Sequence, residues 1–277
     1  MQRVIVAMCG IGLACVIDGC GGETSRGAPG GSTVGATSLG AALSTVELAR
    51  ATSSLLIFGP HEADDLQRTE YLVSVANLAF DKQVIIQLHN PDGTSEDRSC
   101  YFERSVGNNR ELWKTTRDYG TDSNTQVGTV SFSLKYVVAG NTYVDNNGGR
   151  NYTLGVNDGV LLTQPALMSD ANISYGRDGD VAENVTVDLQ NDGYVKHVQI
   201  VGSDDHWRTT VVLDAQYESG PNARGVERWS FIASGPDVTF VPDEFAISYT
   251  VNGATYWDNN FGMNYFMPAH HNGSIVN

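Results

Sequence analysis

The frame T-Y-x-D-N-N-x-G-x-N-Y occurs twice in this chain, as "TYVDNNGGRNY" (142–152) and "TYWDNNFGMNY" (255–265). A second matched pair lies upstream of each copy. "VANLAFDKQVIIQL" (75–88) and "DLQNDGYVKHVQIV" (188–201) set Asn77 on Asn191, Phe80 on Tyr194 and Lys82 on Lys196, each pair 114 residues apart, while Asp145 and Asp258 are 113 apart. A spacing held so closely over so long a stretch means duplication of a whole domain. The period is far longer than the ~20–50 residues of a solenoid unit. A chain of 277 residues has room for two domains of about 100–150 residues each. One position breaks the match sharply: Trp257 in the later copy stands where the earlier has Val144.

Each copy reads as β-structure. In "DEFAISYTV" the residues Phe245, Ile247, Tyr249 and Val251 share one face, and Glu244, Ala246, Ser248 and Thr250 the other. "VSFSLKYVV" repeats the pattern with Phe132, Leu134 and Tyr136. Alternation with period two is the signal of a half-buried antiparallel strand. Further short strands are expected at 71–76, 83–88, 183–189, 195–201, 209–215 and 227–232, and no stretch sustains an amphipathic helix. Many short strands with Gly, Asn and Asp between them predict an all-β chain with a sandwich in each half.

The hairpin at Asn252-Gly253 carries the sharpest local inference. Asn-Gly favours a two-residue turn because both central residues need positive φ. Folding there sets Tyr249 opposite Tyr256 and Ser248 opposite Trp257, and cross-strand partners share a face. Tyr256 therefore joins the core-facing set, and Trp257 stands on the polar side. Tyr143 and Val144 take the corresponding inner and outer places in the first copy.

An outward indole offers a flat face for the C–H face of a sugar ring, with nearby amides to bond its hydroxyls. Asp258, Asn259, Asn260 and Asn264 follow Trp257, and Trp207 in "GSDDHWRT" is a second candidate ring. Competing accounts are inter-domain packing for Trp257 and a loop anchor for Trp207. The asparagines have a structural account too, since Asn and Asp readily bond local backbone. Their presence in the copy that lacks tryptophan favours that account.

Charge and motifs narrow the classes. The formal net charge of -15, without a run of Lys or Arg, argues against nucleic acid. No G-x-S-x-G, H-E-x-x-H or Gly-rich phosphate loop is present, and no catalytic role, cofactor or metal is expected. "DNNGGRN" fails as a calcium loop because Arg150 occupies the sixth position, where glycine is needed. His270-His271 reads as a solvent-exposed tail.

The first residues, "MQRVIVAMCGIGLACVIDGC", have one early cation, an apolar run and then small residues around cysteine, the pattern of a secretory signal. "IDGC" resembles the lipobox of bacterial lipoproteins. The resemblance implies cleavage before Cys20, lipidation of its sulfur, and a cell-envelope location, membrane- or surface-anchored, with secretion as the alternative. Cys15 after "GLA" is a competing site, and an ordinary short anchor or an unprocessed signal is the alternative. Residues 1–20 are then the signal and 21–43, rich in Gly, Ala, Ser and Thr, a flexible tether. Cys100 would remain as a lone thiol, read as a small buried hydrophobe.

The stretches "VANLAFDKQV" with "FSLKYVVAGNTYVDNNGGRNYTL", and "QNDGYVKHVQI" with "DDHWRT", "ERWSF" and "EFAISYTVNGATYWDNNFGMNY", carry a family resemblance over about 44–156 and 160–268. Both halves resemble carbohydrate-binding module family 21, the starch- and glycogen-binding modules of fungal glucoamylases and of glycogen-targeting subunits of protein phosphatase 1. The resemblance implies two tandem immunoglobulin-like sandwiches, each with two sites for α-glucan. One site would use Trp207, Trp257 and Asn259, with a third aromatic position filled here by Ala246. The other would use Tyr194, Lys196 and Tyr217, matched in the first domain by Phe80, Lys82 and Tyr101. The first domain has Val144 and Ser133 at the platform positions and no tryptophan in "NPDGTSEDRS". The resemblance thus implies a scaffold kept twice and a tryptophan platform kept once. Trp113 and Trp229 match the family's core tryptophan. Ordinary strand-end packing is the competing account of Phe80 and Tyr194. The partners implied are a polysaccharide, a membrane only through the lipid, and a glucan-processing enzyme, co-secreted or membrane-associated. A surface scaffold or adhesin that uses the sandwiches for protein contact is the alternative, because one fold serves many functions.

Overall fold

The computed structural model describes residues 44–56, 66–120, 127–175, 181–234 and 241–267. Cys20, the tether 21–43 and His270-His271 lie outside the described residues.

The first sandwich contains β1 (Val46–Leu56), β2 (Leu66–Ala76), β3 (Lys82–His89), β4 (Ser95–Ser99), β5 (Tyr101–Val106), β6 (Arg110–Gly120), β7 (Val130–Val138), β8 (Asn141–Asp145), β9 (Tyr152–Leu154) and β10 (Gly159–Leu162). Its sheets run β10-β1-β2-β6-β5 and β4-β3-β7-β8, with β9 also on β7. The second contains β11 (Ala166–Tyr175), β12 (Val181–Gln190), β13 (Lys196–Ser203), β14 (Val211–Asp214), β15 (Gln216–Ser219), β16 (Val226–Ser234), β17 (Glu244–Val251), β18 (Ala254–Asp258) and β19 (Tyr265–Phe266). Its sheets run β11-β12-β16-β15 and β14-β13-β17-β18, with β19 also on β17. Apart from β10 the two orders are the same strand for strand. Even the irregularities recur, with register slips at Leu48/Arg50 and Met168/Asp170, and at Phe102/Arg104 and Tyr217/Ser219.

The cores lie between the paired sheets. Leu48, Val73, Ile86, Phe132, Leu134 and Tyr136 fill the first, and Val185, Leu189, Ile200, Phe245, Ile247 and Tyr249 the second. Buried phenols need an acceptor. Tyr136 donates to the Ala76 carbonyl and Tyr249 to that of Gln190, both at 2.7 Å. Trp113 and Trp229 pack against these cores, as read from the sequence. Cys100 is a free, buried thiol, pushed up to about 12 by burial.

The alternation of β17 holds on its inner face but not on its outer one. Ala246 and Ser248, expected on the solvent side, are 0% and 5% exposed. They are short side chains in a middle strand, flanked by Val201 and Gln199 on β13 and by Trp257 on β18. Larger neighbours on both sides cover them.

Two features join the sandwiches. The strand β10, at residues assigned from sequence to the junction and the start of the second domain, pairs with β1 of the first, Leu162 opposite Arg50. The second sandwich grips it, since Asn222 Nδ2 donates to the Val160 carbonyl (2.8 Å) and Gln190 Nε2 to that of Leu162 (3.2 Å). The other feature is Phe261, in the repeated frame at the place of Gly148. Both adopt positive φ, 66° for Gly148 and 59° for Phe261. Glycine is at ease there and a bulky residue is strained. Phe261 is held by the first sandwich, packed with Ala49, Val106 and Leu112, its ring centre 5.7 Å from the Arg110 guanidinium carbon. Gly107 meets it so closely that a Cβ would lie 2.1 Å from the Phe261 carbonyl oxygen.

Candidate binding surfaces

The repeated frame builds the same turn twice. Asp145 accepts from Tyr152 Oη (2.9 Å) and from the Leu48 N–H (3.1 Å); Asp258 accepts from Tyr265 Oη (2.8 Å) and from the Met168 N–H (2.6 Å). Each carboxylate thus ties the turn to the first strand of its own sandwich. Asn147 Nδ2 donates to the Asn151 carbonyl and Asn260 Nδ2 to that of Asn264. All four of these asparagines have positive φ, which Asn tolerates better than most residues. Asp258, Asn260 and Asn264 are buried at 6%, 4% and 1% exposure, and burial pushes the Asp258 carboxyl above its ordinary range. Of the polar groups following Trp257, those three belong to the turn, and only Asn259 reaches the surface. Its Oδ1 accepts from the Gly262 N–H at 2.9 Å.

Trp257 stands where the hairpin register puts it. Ser248 pairs with Trp257 and Tyr249 with Tyr256. The two tyrosine rings lie 6.0 Å apart, but Tyr256, on the edge strand, is 39% exposed and does not join the core as expected. Trp257 is 50% exposed, and Val144, paired with Lys135, is likewise outward in the first copy. Trp207 lies in the loop between β13 and β14, with φ of +63°. That loop is wound around Asp205. The Thr209 N–H and hydroxyl, the Ser203 hydroxyl and the Arg208 N–H all donate to the Asp205 carboxylate and hold it down at about 2. Ser203 Oγ also accepts from the Trp207 N–H at 2.9 Å. The indole nitrogen of Trp207 is buried and has no partner among the described residues. Ser203 pairs with Glu244, whose carboxylate accepts from Asn264 Nδ2 at 2.6 Å. The Trp207 loop and the Asn259 turn therefore occupy the same end of one sheet. Ala246, fully buried, contributes no ring between them.

The second surface also recurs in both sandwiches. Tyr194 and Phe80 are 100% and 102% exposed, so neither packs as a strand-end hydrophobe. The lysines beside them turn inward instead. Lys196 Nζ donates to Asn191 Oδ1 (2.6 Å) and Glu227 Oε2 (2.8 Å), and Lys82 Nζ to Asn77 Oδ1 (2.6 Å) and Glu111 Oε2 (2.9 Å). Their side chains are 5% and 3% exposed. The same glutamates accept the indole N–H of Trp229 and Trp113. The lysines are ties between Asn, Glu and the core tryptophan, not presented cations.

Tyr217, 53% exposed, pairs with Trp229 and meets it edge-on at 6.0 Å between ring centres. In the first sandwich the residue that pairs with Trp113 and meets it edge-on, at 5.9 Å, is Phe102. Tyr101 is one residue off, so it faces the other side of its strand, opposite Lys114. Phe102, 49% exposed, is the counterpart that the sequence comparison missed. The pairing with the matched tryptophans is the signal that identifies it.

Comparison with known proteins follows the same lines. The family model for the carbohydrate/starch-binding module (family 21) matches residues 64–155 and 170–268, together more than half of the chain. Glucoamylase 1 of Rhizopus oryzae is 30% identical over 112 residues, 38% of this chain and 18% of that protein. Protein phosphatase 1 regulatory subunit 3B of Homo sapiens is 38% identical over 84 residues, 29% of this chain and 29% of that one. The chain thus spans less than a third of the length of either relative. Among solved structures, the starch binding domain of Rhizopus oryzae glucoamylase in complex with β-cyclodextrin and maltoheptaose aligns at 26% identity and a TM-score of 0.31, over 39% of this chain and 95% of that one. The carbohydrate binding module of the muscle glycogen-targeting subunit of Protein Phosphatase-1 aligns at 19% identity with the same TM-score, over 41% of this chain and 76% of that one. By the match of the family model across both halves, the chain belongs to the carbohydrate/starch-binding module family 21.

Proposed function

We propose that this chain is a tandem, non-catalytic binder of α-glucan polysaccharide of the starch or glycogen type. The observation that carries the reading is the pair Phe80 and Tyr194, fully exposed rings at the same place in two sandwiches. Solvated aromatics repeated at one position are unfavourable unless something stacks on them. Family membership supports a sugar as the partner. Trp257, with Trp207 and Asn259, supplies the stronger platform in the second sandwich, and Tyr194 with Tyr217 a second one. The first sandwich contributes a weaker surface at Phe80 and Phe102. Several surfaces on one chain raise the retention on a polymer through effective concentration.

Columns of immobilised amylose, glycogen and cellulose test this. The wild-type chain is expected to be retained by the two α-glucans and to pass through cellulose. A Phe80→Ala/Tyr194→Ala chain should elute earlier on both α-glucans. Passage of the wild type through amylose and glycogen, or equal retention on cellulose, contradicts the assignment.

We also propose that the chain is held at the cell envelope by lipid on Cys20, a reading supported by "IDGC" and the apolar run before it. Cys20→Ala should move the protein from the membrane to the soluble fraction. A wild-type protein carrying no lipid at Cys20 excludes the anchor.

A further inference from the structure

Between the two sandwiches lies a cavity of about 300 Å³, walled by β1, β2, β5 and β6 of the first and by β11 and the Asn260–Tyr265 turn of the second. Its volume is at the lower end of the ~300–1,000 Å³ typical of small-molecule sites. The junction that forms it is built, not incidental, because Phe261 reaches into the first sandwich and the Gly107 N–H donates to the Asn260 carbonyl at 3.2 Å.

Three properties of the wall point to one class of ligand. First, its charges balance: Arg50, Arg104 and Lys114 face Glu70, Glu103 and Asp170. Neither an anion nor a cation is favoured over a neutral molecule. Second, besides the hydroxyl of Tyr71, whose ring packs in the core, two buried polar atoms of the wall lack partners among the described residues. Asn260 is 4% exposed, and its nitrogen is engaged by the Asn264 carbonyl, which leaves Oδ1 without a donor. Arg104 Nε is buried without an acceptor. Leaving such atoms unpaired costs about 1–3 kcal/mol each, so native structures rarely do it without a reason. A hydroxyl is the group that donates to one and accepts from the other. Third, Tyr101 lines the cavity with a ring 51% exposed, one face of which carries the Lys114 ammonium 5.6 Å from its centre and leaves the other for a ligand. An aromatic beside a hydroxyl-matching donor and acceptor is suited to a sugar.

We infer that this inter-domain groove is a further carbohydrate site, distinct from the three sandwich surfaces, which takes a short neutral malto-oligosaccharide or the end of an α-glucan chain. Tyr101 is the stacking residue, and Asn260 and Arg104 bond the hydroxyls. The inference rests on the proposed α-glucan function. It explains why Tyr101 faces away from the Phe102 surface. It also gives the strained Phe261 a consequence, since that contact sets the width of the groove.

The test uses the full chain and maltose, a ligand too small to bridge two sandwich surfaces. In a Phe80→Ala/Tyr194→Ala/Trp257→Ala background, calorimetry or ligand-observed NMR should still detect maltose binding, although retention on glycogen is largely lost. Adding Tyr101→Ala should weaken the remaining binding at least tenfold. Adding Thr116→Trp, at an exposed position on the groove wall, should do the same by filling it. Both positions tolerate substitution without touching either core. If the triple variant binds no maltose while the wild type does, the groove is refuted and the sandwich surfaces stand. Unchanged maltose affinity on adding Tyr101→Ala and Thr116→Trp refutes it equally. A wild-type chain that binds neither maltose nor glycogen overturns the proposed function itself, and the groove with it.

Discussion

Trp257→Ala is expected to weaken glycogen binding by roughly ten- to a hundredfold with only a small change in the unfolding midpoint. The magnitude follows from the loss of one stacked aromatic, about 1–3 kcal/mol by analogy with base stacking, at about 1.4 kcal/mol per decade of affinity. The fold should persist for a geometric reason. Trp257 lies on the outer side of β18, half exposed, and its cross-strand partner is the small, polar Ser248. The neighbouring Tyr256, on the other face of β18, keeps its ring 6.0 Å from that of Tyr249. The reciprocal change, Val144→Trp, should gain little, because the corresponding loop of the first sandwich is a tight turn at Asp92 and Thr94 with no tryptophan to complete a platform. Affinity electrophoresis in glycogen gels, with urea unfolding run alongside, reads both quantities. Unchanged retardation of a folded Trp257→Ala chain removes Trp257 from the site.

The second large effect is on stability. Lys196→Ala should destabilise the second sandwich by about 3–5 kcal/mol, the cost of leaving one partner of a buried ion pair uncompensated. That is a large part of the ~5–15 kcal/mol that holds a domain together. The pair is Lys196 with Glu227, at 2.8 Å, with side chains 5% and 7% exposed. Without the ammonium, the Glu227 carboxylate keeps only the Trp229 indole N–H, at 3.2 Å, and Asn191 Oδ1 loses its donor. Lys196→Met combined with Glu227→Gln should recover most of the loss, since it removes the charge from both partners and retains an acceptor for Trp229. Urea midpoints of the single and double variants measure this. The outcome also discriminates between roles. A Lys196→Ala chain that keeps its midpoint yet loses glycogen binding would show the ammonium acting on the sugar and not on Glu227.

The two predictions differ because one side chain is placed by local rules and the other by distant partners. Trp257 could be oriented from the sequence. A two-residue Asn-Gly turn sets the register of β17 against β18, and period-two alternation then assigns each residue a face. The duplication was legible for a similar reason, since spacing along a chain is preserved whatever the chain folds into. These are properties of neighbouring residues, and β17 and β18 obey them.

What the tertiary structure decided were the partners. Lys196 looked like a presented cation beside an exposed ring, but Glu227, on another strand, draws it inward. Asp258, Asn260 and Asn264 could be read from the repeat as holding a turn, but not with which partners. The Met168 N–H, 90 residues away, closes the Asp258 carboxylate off from solvent, and the turn engages the asparagines. Tyr101 and Phe102 are equally plausible from composition, and only the pairing of β5 with β6 separates them. The strand β10 and the seat of Phe261 depend on how one sandwich meets the other. Sequence alone determined which face each strand residue takes, because that depends on backbone geometry with a period of two residues. It left open which polar groups remain free for a ligand, because each such group is claimed by whichever partner the packed chain brings within about 3 Å.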